Sequence, residues 1–133
     1  MRKIEHIGIA VQDLDVSNAL FEKLFGAPAY KSEEVASEGV TTSFFMNGPN
    51  KIELLAATTP DSPIAKFIEK KGEGIHHIAF DVEDIVSEIA RLQKEGFVVL
   101  NETPKKGADN KLVAFLHPKS TNGVLIELCQ EIR

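Results

Sequence analysis

Residues 4–11 alternate between two kinds of position, with Ile7, Ile9 and Val11 on one side and His6, Gly8 and Ala10 on the other. That period predicts a strand with one packed face and one face of small residues leading to a histidine. The period then changes. Over residues 15–25, Val16, Ala19, Leu20, Lys23 and Leu24 recur at helical spacing, and Gly26 is a natural stop. Three strand segments follow at about 28–36, 39–47 and 51–57, divided by the turn signals Ser37-Glu38-Gly39 and Asn47-Gly48-Pro49-Asn50. The unit reads βαβββ.

Residues 58–74 interrupt the pattern. In Thr59-Pro60-Asp61-Ser62-Pro63, Ser62 suits an N-cap and Pro63 the first helical position, so a short helix to about Lys70 is expected, ended by Gly72 and Gly74. The order then repeats. A strand covers about 75–82, and a helix about 85–95 turns Ile85, Val86, Ile89 and Leu92 inward and stops at Gly96; strands follow at about 97–101, 111–117 and 123–129. The polar loop 102–110 sits where a ligand-covering loop would be placed. The expected organisation is one domain over 1–133, with a module at about 3–57, a connector at about 58–73 and a second module at about 74–131.

The two modules share more than element order. Ile4-Glu5-His6-Ile7-Gly8-Ile9-Ala10-Val11 and Ile75-His76-His77-Ile78-Ala79-Phe80-Asp81-Val82 are near copies. Each later meets an apolar strand holding one glutamate, Glu53 in Lys51-Ile52-Glu53-Leu54-Leu55 and Glu127 in Val124-Leu125-Ile126-Glu127-Leu128. Alternation puts His77 with Ala79 and Asp81, as His6 stands with Gly8 and Ala10; His76 shares the apolar face and is set aside as a ligand. A carboxylate in an apolar strand is costly unless paired or bound to a metal. A lone histidine or a lone strand glutamate would carry little weight. Two of each, at equivalent places in a repeat, make a credible ligand set for one divalent metal.

Composition narrows the setting. The chain has 133 residues, 43% hydrophobic and 26% charged, with a net charge of -5. No basic stripe suggests nucleic acid, and no apolar run is longer than a strand, so neither nucleic acid nor membrane is an expected partner. The N-terminus enters a strand almost at once, leaving no room for a signal peptide, and the lone Cys129 has no internal disulfide partner. A cytoplasmic setting is expected, with Cys129 acting as a small buried hydrophobe.

These residues carry a resemblance to the vicinal oxygen chelate superfamily, whose members fold from paired βαβββ modules. Within it the chain looks most like methylmalonyl-CoA epimerases. The stretches that match are His6-Ile7-Gly8-Ile9-Ala10-Val11, Ile52-Glu53-Leu54-Leu55, Asp61-Ser62-Pro63-Ile64-Ala65-Lys66-Phe67, Gly74-Ile75-His76-His77-Ile78-Ala79, and Phe115-Leu116-His117-Pro118-Lys119-Ser120 leading to Gly123-Val124-Leu125-Ile126-Glu127-Leu128. The resemblance implies an α+β fold in which tandem modules form a curved mixed sheet around a metal site. It implies one divalent metal per chain (Co, Mn, Ni, Zn or Mg) on His6, Glu53, His77 and Glu127. Epimerases often carry Gln at the position of Glu53, and Glu there is equally the pattern of glyoxalase I.

The activity implied is interconversion of (2R)- and (2S)-methylmalonyl-CoA, by removing the proton α to a thioester and returning it on the other face. Glu127 is the first candidate base and Glu53 the second. Thr42 stands where some epimerases have a further catalytic glutamate, and a water relayed by Thr42 or Ser43 is a substitute. Lys105, Lys111 and Lys119 are candidates for the acyl-CoA substrate, as surface lysines meeting its phosphates. His117 either lines the pocket or caps the turn before Pro118. Open sheet edges of this type call for a homodimer. Two other functions fit the same fold: glyoxalase I, with the same four ligands, and a metal-free drug-binding protein, which usually lacks them.

Overall fold

Asp13 and Asp84 each accept a hydrogen bond from the backbone three residues on, Val16 N at 3.1 Å and Ser87 N at 3.2 Å, and so start helices at matching places in the two halves. The computed structural model describes residues 1–132. In chain order it contains β1 (Lys3–Ala10), α1 (Leu14–Phe25), β2 (Lys31–Val35), β3 (Val40–Asn47), β4 (Asn50–Ala57), α2 (Pro63–Lys71), β5 (Gly74–Asp81), α3 (Ile85–Lys94), β6 (Lys105–Lys106), β7 (Lys111–Leu116) and β8 (Ile126–Glu131). Two βαβββ runs joined by a helix are thus present, as the periodicity predicts. The chain forms two compact units, His6–His76, and Met1–Glu5 with the described residues from His77 onward.

In the first unit the strand order is β2-β3-β4-β1, with β1 parallel to β4 and the other pairs antiparallel. Both faces are covered. On one, Val11, Phe45, Leu54 and Ala56 pack with Ile9, Leu14, Phe21 and Phe25 of β1 and α1. On the other, Ala10, Val40 and Leu55 meet Ile64, Phe67 and Ile68 of α2. Ser62 caps α2 by accepting from Ala65 N at 3.1 Å. Gly39 allows the turn into β3 twice over: its φ is 63°, and a Cβ there would lie 2.8 Å from both Ser62 Cβ and Thr59 Oγ1.

In the second unit the order is β5-β8-β7-β6, with β5 parallel to β8. Ile85, Ile89 and Leu92 of α3 pack on Val82, Ala114, Leu116 and Leu128. Burying each of these larger side chains stabilises by roughly 1.5–3 kcal/mol. Arg2 ties the N-terminus to this unit, its backbone N–H donating to Asp81 O at 2.8 Å and its Nε to the Asp81 carboxylate at 2.8 Å.

Four expectations are corrected. The stripe Val16, Leu20 and Leu24 does not pack; these residues are exposed, and α1 instead turns Leu14, Ser17, Phe21 and Phe25 to the sheet. The three rings of Phe21, Phe25 and Phe45 lie 5.8–6.2 Å apart, filling a space the aliphatic stripe would leave partly empty. Val86 is likewise exposed, beside the inward Ile85. The strand expected at 97–101 is reduced to a single bridge, Val99 to Leu116. Its cause is Asn101, whose side-chain amide accepts from Phe115 N at 2.9 Å and donates to Val113 O at 3.3 Å, taking positions a continuing strand backbone would use. The pairing strand is β6 inside the expected loop 102–110, opposite Leu112 and Val113. Finally, β8 begins at Ile126, later than expected, because Thr121 to Val124 form a turn.

Candidate metal centre

Each unit brings one histidine to one glutamate. In the first, the parallel register sets Gly8 opposite Glu53, so His6 lies one pleat before the carboxylate on the same face. The His6 Nε2 and Glu53 Oε1 atoms are 3.3 Å apart, and both side chains are buried. In the second, Ala79 lies opposite Glu127, and His77 Nε2 stands 3.1 Å from Glu127 Oε1, again buried. Glycine and alanine at the intervening positions leave room for the side chains to meet. A phenylalanine lies opposite each glutamate, Phe44 against Glu53 and Phe115 against Glu127. Phe115 meets the His77 ring edge-on, with centroids 6.1 Å apart at 84°. These phenylalanines went unread in the sequence; aligning β3 on β7 by their distance from the glutamate strand would have found them.

An imidazole nitrogen and a carboxylate oxygen at about 3 Å, away from water, form a donor pair for a divalent cation. Without thiolate, such a donor set fits Co, Mn, Ni, Zn or Mg alike. The chemistry of the residues present therefore fits a resident metal.

The other candidates separate by face. His76 stacks its ring edge on Phe67, with centroids 4.9 Å apart, as its place on the apolar face requires. Thr42 stands opposite Leu55, on the face of Glu53, but its hydroxyl donates to Glu33 O at 3.2 Å. Ser43 stands opposite Leu54 on the other face, under α1, so it is no water relay on the His6 side. Among the described residues, its hydroxyl and Asn18 Oδ1 are buried without a hydrogen-bond partner. His117 caps the turn: its Nδ1 accepts from Lys119 N at 3.0 Å. Lys105 and Lys119 are exposed, as surface lysines should be, whereas Lys111 is buried, with 8% of its surface accessible. Cys129 is fully buried; burial first, then the charges of Glu127 and Glu5, push its thiol far above the ordinary range, leaving it protonated and inert. Among the described residues no helix is long and apolar enough to cross a membrane.

Comparison with known proteins gives these pairs a context. The family model of the glyoxalase/bleomycin resistance protein/dioxygenase superfamily matches residues 5–115. An ethylmalonyl-CoA/methylmalonyl-CoA epimerase of Cereibacter sphaeroides is 43% identical over 96% of this chain and 97% of its own length. An uncharacterized protein of Bacillus subtilis is 38% identical, over 98% of this chain and 93% of its own. Among solved structures, a methylmalonyl-CoA epimerase in complex with methylmalonyl-CoA and NH4+ superposes with a TM-score of 0.94 and 34% identity, covering 98% of this chain and 95% of that one. Lactoylglutathione lyases of Brassica oleracea and Arabidopsis thaliana match at only 25% and 24% identity, over 44% of their length.

Proposed function

This chain belongs to the glyoxalase/bleomycin resistance protein/dioxygenase superfamily, and within it we propose that it is a methylmalonyl-CoA epimerase. The observation that carries the choice of reaction is the gap in likeness: epimerases align along nearly their whole length, and lactoylglutathione lyases only distantly. The buried His–Glu pairs support an enzyme over a metal-free drug binder.

The residues that would hold the divalent metal are His6, Glu53, His77 and Glu127. When bound, the cation supplies positive charge where negative charge develops on the substrate oxygens during α-proton removal. The chain's own part is proton transfer. Glu127 takes the α-proton on one face of the substrate, and Glu53, the second carboxylate, gives a proton back on the other. The low polarity of the strands around each glutamate raises the strength of charge interactions made there. Lys105 and Lys119 are proposed for the CoA phosphates. A homodimer and a cytoplasmic setting belong to the same reading; the exposed stripe Val16, Leu20 and Leu24 supports the dimer, since a continuous apolar helix face calls for cover.

The test is a pair of assays on one metal-loaded preparation. Turnover of (2S)- to (2R)-methylmalonyl-CoA is expected, with no more than trace activity on the hemithioacetal of methylglyoxal and glutathione. The reverse pattern would replace the epimerase by glyoxalase I.

A further inference from the structure

Residues 97–100 lie along β7 without becoming a full strand. Val99 sits opposite Leu116, and on either side Leu100 N–H donates to Phe115 O at 2.8 Å and His117 N–H donates to Val98 O at 2.7 Å. Phe97 and Val99 pack with Leu116 under α3. Alternation therefore turns Val98 and Leu100 to the other face, where Phe115 stands opposite Glu127 and meets the His77 ring. There they are 53% and 54% exposed, an aliphatic shelf on the side of the sheet that carries the His77–Glu127 pair.

The first unit has an equivalent place and fills it differently. Tyr30 N–H donates to Phe44 O at 2.9 Å, as Leu100 N–H does to Phe115 O, and the Tyr30 and Phe44 rings lie 6.1 Å apart. Phe44, opposite Glu53, is buried, whereas Phe115, opposite Glu127, stays partly exposed. The duplication is broken beside the glutamates: a ring packs on the phenylalanine in one unit, and the smaller aliphatic pair leaves it accessible in the other. The shelf offers little to a polar ligand. Its side chains carry no donor or acceptor, Leu100 N–H and Val98 C=O are bonded to β7, and Val98 N–H donates to Ser120 Oγ at 3.4 Å.

We propose that Val98 and Leu100 form the wall that receives the α-alkyl group of the substrate, and that Leu100 sets how large that group can be. The inference rests on the epimerase reading above. The α-proton leaves towards Glu127, perpendicular to the plane that forms, so the three remaining arms of the α-carbon spread across the sheet face. Two of them, the thioester and the carboxylate, carry oxygens and need polar partners; the third is alkyl and gains by leaving water. An alkyl arm directed across β7 meets Phe115 and then Leu100. The pantetheine chain of CoA, with its two amides, would leave them unpaired against such a wall.

The experiment measures kcat/KM of metal-loaded protein for methylmalonyl-CoA and for its α-ethyl homologue, ethylmalonyl-CoA. One methylene in an apolar pocket changes discrimination by about 10-fold or more, so L100A is expected to raise the ethyl-to-methyl ratio about tenfold and L100F to lower it about tenfold. V98A should raise it by a smaller factor. Damage to the fold or to the metal site moves both substrates together and leaves the ratio where it was. A ratio that stays within about twofold of wild type in both Leu100 variants overturns the proposal. Equal weakening of both substrates would then give the shelf to the pantetheine chain, and unchanged rates with loss of a dimer on size exclusion would give it to a second copy of the chain. Melting curves of each variant check the fold, and L100V serves if L100A does not fold. Wild-type protein separates the two claims: turnover of neither substrate overturns the epimerase reading and the wall with it, while epimerisation at a fixed ratio overturns the wall alone.

Discussion

His76 and His77 are neighbours in sequence and opposites in role, because successive side chains of a strand point to opposite faces. His77 meets Glu127 at 3.1 Å, and His76 packs on Phe67. H77A should lower metal affinity by more than about 100-fold, beyond what loss of a residue that only orients a ligand costs. H76A should keep the metal and lose only about 1 kcal/mol of stability through the ring contact. Metal content after desalting, beside a urea melt of each variant, decides it; a metal-replete H77A would remove His77 from the ligand set. The faces of both histidines were legible from alternation alone. The state of Lys111 was not. A lysine at the head of a strand after a polar loop reads as exposed, and its burial depends on which face β7 turns to β8, a matter of register that one strand's sequence does not state.

At the scale of elements, sequence punctuation was dependable where side chains act locally. The cap expected at Ser62 is present, and Asp13 and Asp84 start their helices by the same bond. It failed where choice depends on a partner surface: α1 carries two apolar stripes, and only the sheet's need for rings selects Phe21 and Phe25. It failed again at 97–101, where Asn101 turns a strand-like run into a side-chain-bonded edge. The helix α3 offers a test of charge at this scale. Glu88 pairs with Arg91 and with the N-terminal ammonium, the latter at 3.1 Å. Chiefly through the Arg91 hydrogen bond, its carboxyl is held below its ordinary value of 4.5. A lowered folded pKa means the stabilisation is present above the ordinary value and is lost as pH falls through the lowered one. E88Q should therefore cost about 0.5–1 kcal/mol at neutral pH, consistent with a mostly solvent-screened pair. The difference from wild type should shrink towards zero as the medium is acidified below the ordinary carboxylate range. Urea midpoints of the untagged chain across that range measure it; a difference independent of pH would mean the loss is not electrostatic.

For the molecule as a whole, duplication has a chemical consequence. Glu53 and Glu127 occupy equivalent register positions, each one pleat past its own histidine and each opposite a phenylalanine. Epimerisation needs a proton to leave one face of a planar intermediate and return to the other, which a pair of equivalent carboxylates supplies naturally. Thr42 does not fill the second role, because its hydroxyl is committed to Glu33 O and carries no charge to accept a proton. If Glu53 serves one face and Glu127 the other, removing either should damage the two epimers unequally. In heavy water, at saturating metal, E53Q should lose α-hydrogen wash-out from one pure epimer by about 100-fold or more while keeping a measurable rate for the other. E127Q should show the opposite preference. Should Glu53 act only as a ligand, E53Q would slow both epimers alike, and added metal would restore both together. That outcome leaves Glu127 and a bound water to share the two faces, and equal rates for both epimers in E127Q would then remove Glu127 as well.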